Sequence, residues 1–209
     1  MAVETPNRVE IAERMSAADF YEFAPDTKAE LIDGVVVVLM PPLDIHESLF
    51  NFLYRLLGDY VDDHNLGIVR GSRTSVELDE DQVYEPDILF VAQARREIVQ
   101  RKGVVGAPDL VIEILSASTA AHDRGAKLRG YERAGVSELW LIDPYGAVGT
   151  TFYQREAGRY TLIQPNERGK IFSRTIPGFW INTAWLWPKD RFIAVRQALA
   201  EIEQNTQNP

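Results

Sequence analysis

The chain has 209 residues, 45% hydrophobic and 25% charged, which suits one soluble globular domain with a substantial core. It contains no cysteine, which excludes disulfides, thiolate zinc sites and a cysteine nucleophile and fits a reducing, cytoplasmic setting. Thirty-one acidic residues against 22 basic ones give a formal charge of −9, which argues against tight binding to bulk DNA while leaving room for a local basic cleft.

The opening segment MAVETPNRVEIAERM has no apolar h-region of a signal peptide. The longest apolar run, VVVVLM at Val35 to Met40, is too short to cross a bilayer. Ser16 is the expected N-cap of a short helix, and Pro25 follows its end. Glu30 to Val35 reads as a hairpin about the Asp33-Gly34 turn, with VVVVLM returning until Pro41-Pro42 stops it.

From Asp44 to Asp63 the residues Leu49, Phe52, Leu53, Leu56, Leu57 and Tyr60 recur at helical spacing, so a long amphipathic helix is expected there, closed by His64 to Gly67. Ile68 to Leu78 and Ile88 to Ala92 read as strands linked by the acidic turn Asp79 to Asp81. Asp109 to Leu115 is a buried strand. Ser118 or Thr119 caps the next helix, which Gly135 terminates. Leu139 to Asp143 is a further strand, and Ala157-Gly158 marks a late hairpin between Phe152-Tyr153 and Tyr160 to Ile163. Three tryptophans, Trp180, Trp185 and Trp187, precede a final amphipathic helix over Asp190 to Ile202, and the tail NTQNP is expected to fray. This order predicts an α/β fold, a mixed sheet flanked by helices in a single domain, with a core over about 16–165 and a C-terminal extension over 166–209.

The chemistry concentrates at two acids. Glu113 lies inside the apolar run LVIEIL, where a carboxylate is costly unless a cation compensates it, and a metal ion is the usual answer. Asp87 ends VYEPD just before the apolar run ILFVA. Magnesium takes oxygen ligands and keeps several waters, so two carboxylates suffice to hold it for phosphodiester hydrolysis. Lys127, on the following helix, could reach back to orient water or stabilise negative charge.

Plainer roles compete with each assignment. Asp87 could merely begin a strand, and Glu113 could face a solvated strand edge. Lys127 could form a surface i, i+4 pair with Asp123, and Tyr131 could be core or a hydrogen-bonding prop. Glu30 could only stabilise its hairpin, and His46 could only start its helix. Asp109, also in a Pro-Asp pair, is a decoy for Asp87, standing about 13 Å along the same strand from Glu113. His64 and His122 have no metal-ligand spacing with His46, so zinc is not expected. The tryptophans read as core, or as a dimer contact. No phosphate-cradling glycine loop, Ser-His-Asp order, zinc finger or helix-turn-helix appears.

EPDILF, then APDLVIEILSAST, then Asp123, Lys127 and Tyr131 at fourfold spacing, then AGVSELWLIDP, together resemble the Uma-type putative restriction endonuclease family of the PD-(D/E)XK nuclease superfamily. The likeness runs from Ser16 to Phe152 and includes AELIDGVVVVLMPP and His46. It implies a restriction-endonuclease-like mixed β-sheet core and a cytoplasmic, Mg2+-dependent (or Mn2+-dependent) endonuclease that cuts DNA, working as a homodimer because duplex cleavage needs two sites. Asp87 matches the aspartate of the PD element and Glu113 the acid of the E-x-K element. The resemblance also implies that the backbone carbonyl of Ile114 touches the metal. The lysine of E-x-K is replaced by Leu115, and the resemblance moves that role to Lys127. Glu30 and His46 match positions near the same pocket. The alternative is a catalytically inactive nuclease fold acting as a binding or assembly module, motivated by Leu115 and the acidic charge. RNA or branched DNA would be a different substrate for the same centre.

Overall fold

The structure is a computed structural model that describes residues 8–11, 14–23, 28–39, 41–117 and 119–206. Pro25, Met40, Ser118 and the last three residues of the tail, about which the sequence raised expectations, lie outside the described residues.

Strand β1 (Arg8–Ile11) and helix α1 (Ala17–Phe23) come first. Ser16 caps α1 reciprocally: its hydroxyl accepts from Asp19 N–H at 3.2 Å, and Asp19 Oδ2 accepts from Ser16 N–H at 3.1 Å. Strands β2 (Ala29–Ile32) and β3 (Val35–Leu39) form the expected hairpin. Its turn places Asp33 (φ 50°) and Gly34 (φ 76°) both in the left-handed region, the geometry that matches strand twist. Helix α2 (Asp44–Asp63) spans the anticipated residues and buries Leu49, Phe52, Leu53, Leu56, Leu57 and Tyr60.

The stretch expected as one strand from Ile68 to Leu78 is instead two. Strands β4 (Gly67–Gly71) and β5 (Val76–Asp79) belong to different sheets. Between them Arg73 takes φ 73°, which turns the chain out of one sheet and into the other. The acidic turn then leads into a short strand that the sequence reading missed, β6 (Gln82–Tyr84), paired back on β5. Strand β7 (Ile88–Ala92) follows, then a 3-10 turn over Gln93–Ile98 and the small hairpin of β8 (Val99–Gln100) and β9 (Gly103–Val105).

Strand β10 (Leu110–Ile114) runs parallel to β11 (Glu138–Ile142), and parallel neighbours need a crossover connection. That connection is one helical segment in three parts: α3 (Ala120–His122), a π turn over Asp123–Lys127, and α4 (Leu128–Ala134). Thr119 precedes it, but no side chain caps it there; the Ser116 hydroxyl accepts from Thr119 N–H instead. Gly135 (φ 95°) ends it, with Val136 N–H donating to Tyr131 O at 3.0 Å. Strands β12 (Thr151–Glu156) and β13 (Arg159–Ile163) turn at Ala157-Gly158 as expected. Strands β14 (Lys170–Phe172) and β15 (Trp180–Asn182) pair, and α5 (Val195–Thr206) begins five residues later than expected.

Among the described residues there are two large mixed sheets where one was expected. Their orders are β1-β3-β2-β6-β5-β9-β8 and β13-β12-β11-β10-β7-β4. The pleat of β10 sends Leu110, Ile112 and Ile114 into a core shared with α2, α5, Trp180 and Trp185. It sends Val111 and Leu115 to the opposite face, against Tyr84, Tyr131, Ile32 and Val37 from the crossover helix and the other sheet. Trp180 and Trp185 are thus core, and Trp187 Nε1 donates to Asp143 O at 2.8 Å. No helix among the described residues is long and apolar enough to cross a membrane.

Candidate active site

Glu113 shares its face of β10 with Val111 and Leu115, so it points at the seam between the two sheets. The antiparallel register of β10 with β7 pairs Ile112 with Ile88, and one step onward it sets Glu113 beside Asp87. Asp87 precedes β7 on the same pleat phase as Leu89 and Val91, so both acids enter the same seam. The facing sheet contributes Lys28 and Glu30, which alternate with the residues on the outer face of β2. Helix α2 contributes His46, and the crossover helix contributes Asp123, Lys127 and Tyr131. The π turn, a feature frequent at functional sites, holds Asp123 and Lys127 buried together.

Lys127 Nζ is the hub. It lies 2.7 Å from Glu113 Oε1, 2.8 Å from Glu30 Oε1 and 3.2 Å from Asp123 Oδ1, with 2% of its side chain exposed. The Tyr131 hydroxyl donates to Glu113 Oε1 at 2.6 Å, and Glu85 N–H donates to Glu30 Oε1 at 2.8 Å. Asp87 has a separate set of partners: Lys28 Nζ at 3.2 Å on Oδ1, His46 Nε2 at 3.2 Å on Oδ2, and Ile114 N–H at 2.8 Å on Oδ2. Lys28, Glu30, His46, Asp87, Glu113, Asp123 and Lys127 line a cavity of about 560 Å3.

Four buried carboxylates (Glu30, Asp87, Glu113, Asp123) face two ammonium groups and one imidazole. Burial, with Asp123, Asp87 and Glu30 adding to it against Lys127, pushes the Glu113 carboxyl up to about 8. Burial also raises Asp123, against the Lys127 ammonium 3.2 Å from its Oδ1. Asp87 is buried too, but Lys28 and His46 outweigh that and hold its carboxyl well below the usual range. Burial opposes the charge on Lys127, yet Glu113 and Glu30 overcome it and keep the ammonium firmly protonated. His46 is raised the same way, burial being outweighed by its bond to Asp87.

The two acids and the helix lysine singled out from sequence therefore meet in one cavity, joined by Glu30, His46 and Asp123, while Tyr131 does not line it and reaches the cluster through its bond to Glu113. Glu113 is not at a solvated edge, and Lys127–Asp123 is no surface pair: all three are buried. Asp109 is elsewhere, with Oδ2 accepting from Ala92 N–H and Oδ1 from Arg95, both at 2.8 Å. His64 bonds to the backbone of Tyr60. The cation that Glu113 was expected to need is present within the chain, as Lys127. Sequence reasoning missed Lys28, although it stands two residues before Glu30 and so shares its strand face. It also missed Tyr84, whose ring lies 5.6 Å from Lys127 Nζ and whose hydroxyl donates to Gln82.

The profile of a family described as "Putative restriction endonuclease", Uma2, matches residues 17–184, most of the chain. The chain belongs to the Uma2 family. Within this Uma2 chain the matched span takes in every side chain of the cluster from Lys28 to Tyr131. The uncharacterized protein sll1609 of Synechocystis sp. is 25% identical over 137 residues, 65% of this chain and 77% of the relative. A crystal structure of a putative nuclease belonging to DUF820 from Anabaena variabilis shares the fold at a TM-score of 0.61 and 16% identity, over 88% of this chain and 97% of that one.

A divalent cation fits this chemistry. The donors are hard oxygens, four buried carboxylates in excess over two ammonium groups. Among the described residues no three acidic or histidine side chains converge as a ready-made ligand set. Two carboxylates with water completing the shell is how magnesium is commonly held.

Proposed function

We propose that this Uma2 protein is a metal-dependent endonuclease that hydrolyses phosphodiester bonds in DNA. The observation that carries the reading is the seam itself, where Asp87 and Glu113 stand side by side on adjacent strands with Lys127 2.7 Å from Glu113. Asp87 and Glu113 would hold the cation, with the backbone carbonyl of Ile114 as a further oxygen. Asp87 Oδ1 meets Lys28 and keeps a second lone pair for it. When bound, Mg2+ or Mn2+ acidifies a coordinated water and offsets charge on the phosphate.

The remaining steps belong to the chain. Glu113 would have to be ionised to hold the cation, and Tyr131 fixes the orientation of its carboxyl through a 2.6 Å hydrogen bond. Lys127 is held by Glu30, Glu113 and Asp123, which fix its ammonium at the floor of the cavity, and an N–H would have to leave one of these carboxylates to meet the phosphate. His46 fixes the orientation of Asp87 through Oδ2. The lysine that E-x-K would supply two residues after Glu113 is Leu115, on the same strand face, and Lys127 occupies the space next to the carboxylate.

One observation favours the alternative of a binding module without turnover: Lys127 already gives Glu113 a counter-charge. A cleavage assay on single-stranded, duplex and branched DNA and on RNA, in Mg2+ and in Mn2+, separates the two. The nuclease reading expects cutting that stops on chelation and in Glu113→Gln. Cutting unchanged in Glu113→Gln, or none in either metal with any substrate, would sink it.

A further inference from the structure

The cavity has a second wall that the acid cluster does not use. Seven large hydrophobic side chains are exposed among the described residues, and three of them, Leu43 (67%), Ile45 (39%) and Tyr145 (70%), stand on the rim of this one cavity. With Pro41, Pro42 and Pro144 they make an apolar lip built from the entrance to α2 and the turn after β11. Phe50, stacked on Tyr54 at 5.4 Å, lines the same space.

Positive charge is scarce there. Three cations line the cavity; Lys28 and Lys127 are held by carboxylates, and the exposed one is Arg73. Arg73 occupies the left-handed turn between β4 and β5, at φ 73°, a conformation strained for a non-glycine residue. A protein that grips a duplex by its backbone neutralises about 6–10 phosphates with Lys and Arg. This mouth offers one such contact and an extended apolar face. An unpaired base has the opposite requirements: it presents a flat π-face, and stacking on an aromatic side chain is worth about 1–3 kcal/mol per base. At about 560 Å3 the cavity has the size of a small-ligand site.

Resting on the nuclease reading, we infer that the cavity receives one unpaired nucleotide of a single-stranded or locally unpaired nucleic acid, with its base against the Tyr145–Leu43–Ile45 lip and its phosphate between Arg73 and the acid floor. Arg73 and Tyr145 are then specificity-determining residues. One site serves one strand, so a single copy of the chain suffices.

The test is fluorescence anisotropy with Ca2+ replacing Mg2+ to hold back turnover. The probes are a short single strand of DNA, the same strand of RNA, a blunt duplex, and a duplex carrying one bulged nucleotide. The single strands and the bulge are expected to bind at least about tenfold tighter than the blunt duplex. Tyr145→Ala should weaken strand binding by about 5- to 100-fold and leave duplex binding unchanged. Arg73→Ala should weaken all probes and lower the salt slope by about one. The DNA and RNA arms tell which strand is preferred. Equal or tighter duplex binding, no binding of any probe, or a Tyr145→Ala variant that binds like wild type would overturn the inference. So would a dimer by sedimentation that Tyr145→Ala dissociates, because the lip would then be a protein contact. Base-selective binding without cleavage would retire the nuclease reading alone, whereas cleavage with equal strand and duplex affinity would retire only this one.

Discussion

Glu113 and Glu138 are both acids buried in apolar strands, and their partners separate them. Glu138 is met by neutral donors: Trp140 Nε1 at 2.9 Å, Ser173 Oγ at 2.8 Å, and Arg174 N–H at 3.1 Å. Glu113 is met by Lys127 and by three other carboxylates within the same cluster. With its carboxyl at about 8 in the fold against an ordinary 4.5, the folded chain keeps a proton that the unfolded chain releases. Stability without metal should therefore fall as pH rises from about 4.5 to about 8. Below that window both states are protonated and the slope vanishes. Asp87 acts with the opposite sign: its lowered pKa adds stability above 3.8 that is lost on acidification. Urea unfolding of wild type and Glu113→Gln across pH 5–8 checks this; a slope identical in the two proteins would refute it. Lys127→Met should cost about 3–5 kcal/mol at pH 8, since it strands three carboxylates. The loss should shrink at pH 5, where Glu113 and Asp123, both raised by burial, take up protons more readily, and a pH-independent loss would contradict this. The sequence carried Asp87, Glu113 and Lys127 legibly, because acids in apolar runs and helical spacing are local signals. Tyr84 was illegible because a contact between sheets leaves no mark in either strand alone, whereas Lys28 had only its i, i+2 spacing from Glu30 to mark it.

At the scale of elements, α2 and the crossover helix carry glycines with opposite demands. A Cβ at Gly58 on α2 would meet nothing within 4 Å, so Gly58→Ala should stabilise by about 0.5–1 kcal/mol through lost chain entropy. A Cβ at Gly130 on α4 would meet the Tyr84 hydroxyl and its Cζ at 3.1 Å, so Gly130→Ala should destabilise by about 1–3 kcal/mol. Thermal melts of both variants test this, and equal effects would show that the approach of α4 to β6 is not tight. The helices were legible from period and caps: α2 has a clean apolar stripe and Gly135 a left-handed stop. The break between β4 and β5 was not, because GSRTS holds neither proline nor a strong turn pair, and the strain falls on Arg73. Strand β6 is three residues long and has no room to express alternation.

For the whole molecule, the charge of −9 and the acid-rich floor are one problem at two scales. The fold places an excess of carboxylates at the seam of two sheets, and burial there favours their protonated forms at Glu113 and Asp123. The expected single mixed sheet proved to be two because long-range packing, not local pattern, decides which strands join. We propose that Asp87 and Glu113 hold a divalent cation at the cost of the Glu113 proton. Calorimetric titration of Mn2+ at pH 7, with and without single-stranded DNA and in buffers of different ionisation enthalpy, tests it most directly. The account predicts binding with release of about one proton, seen as a buffer-dependent heat, and loss of both binding and release in Glu113→Gln. Binding that is the same in Glu113→Gln, or no binding by wild type even with DNA present, would contradict it.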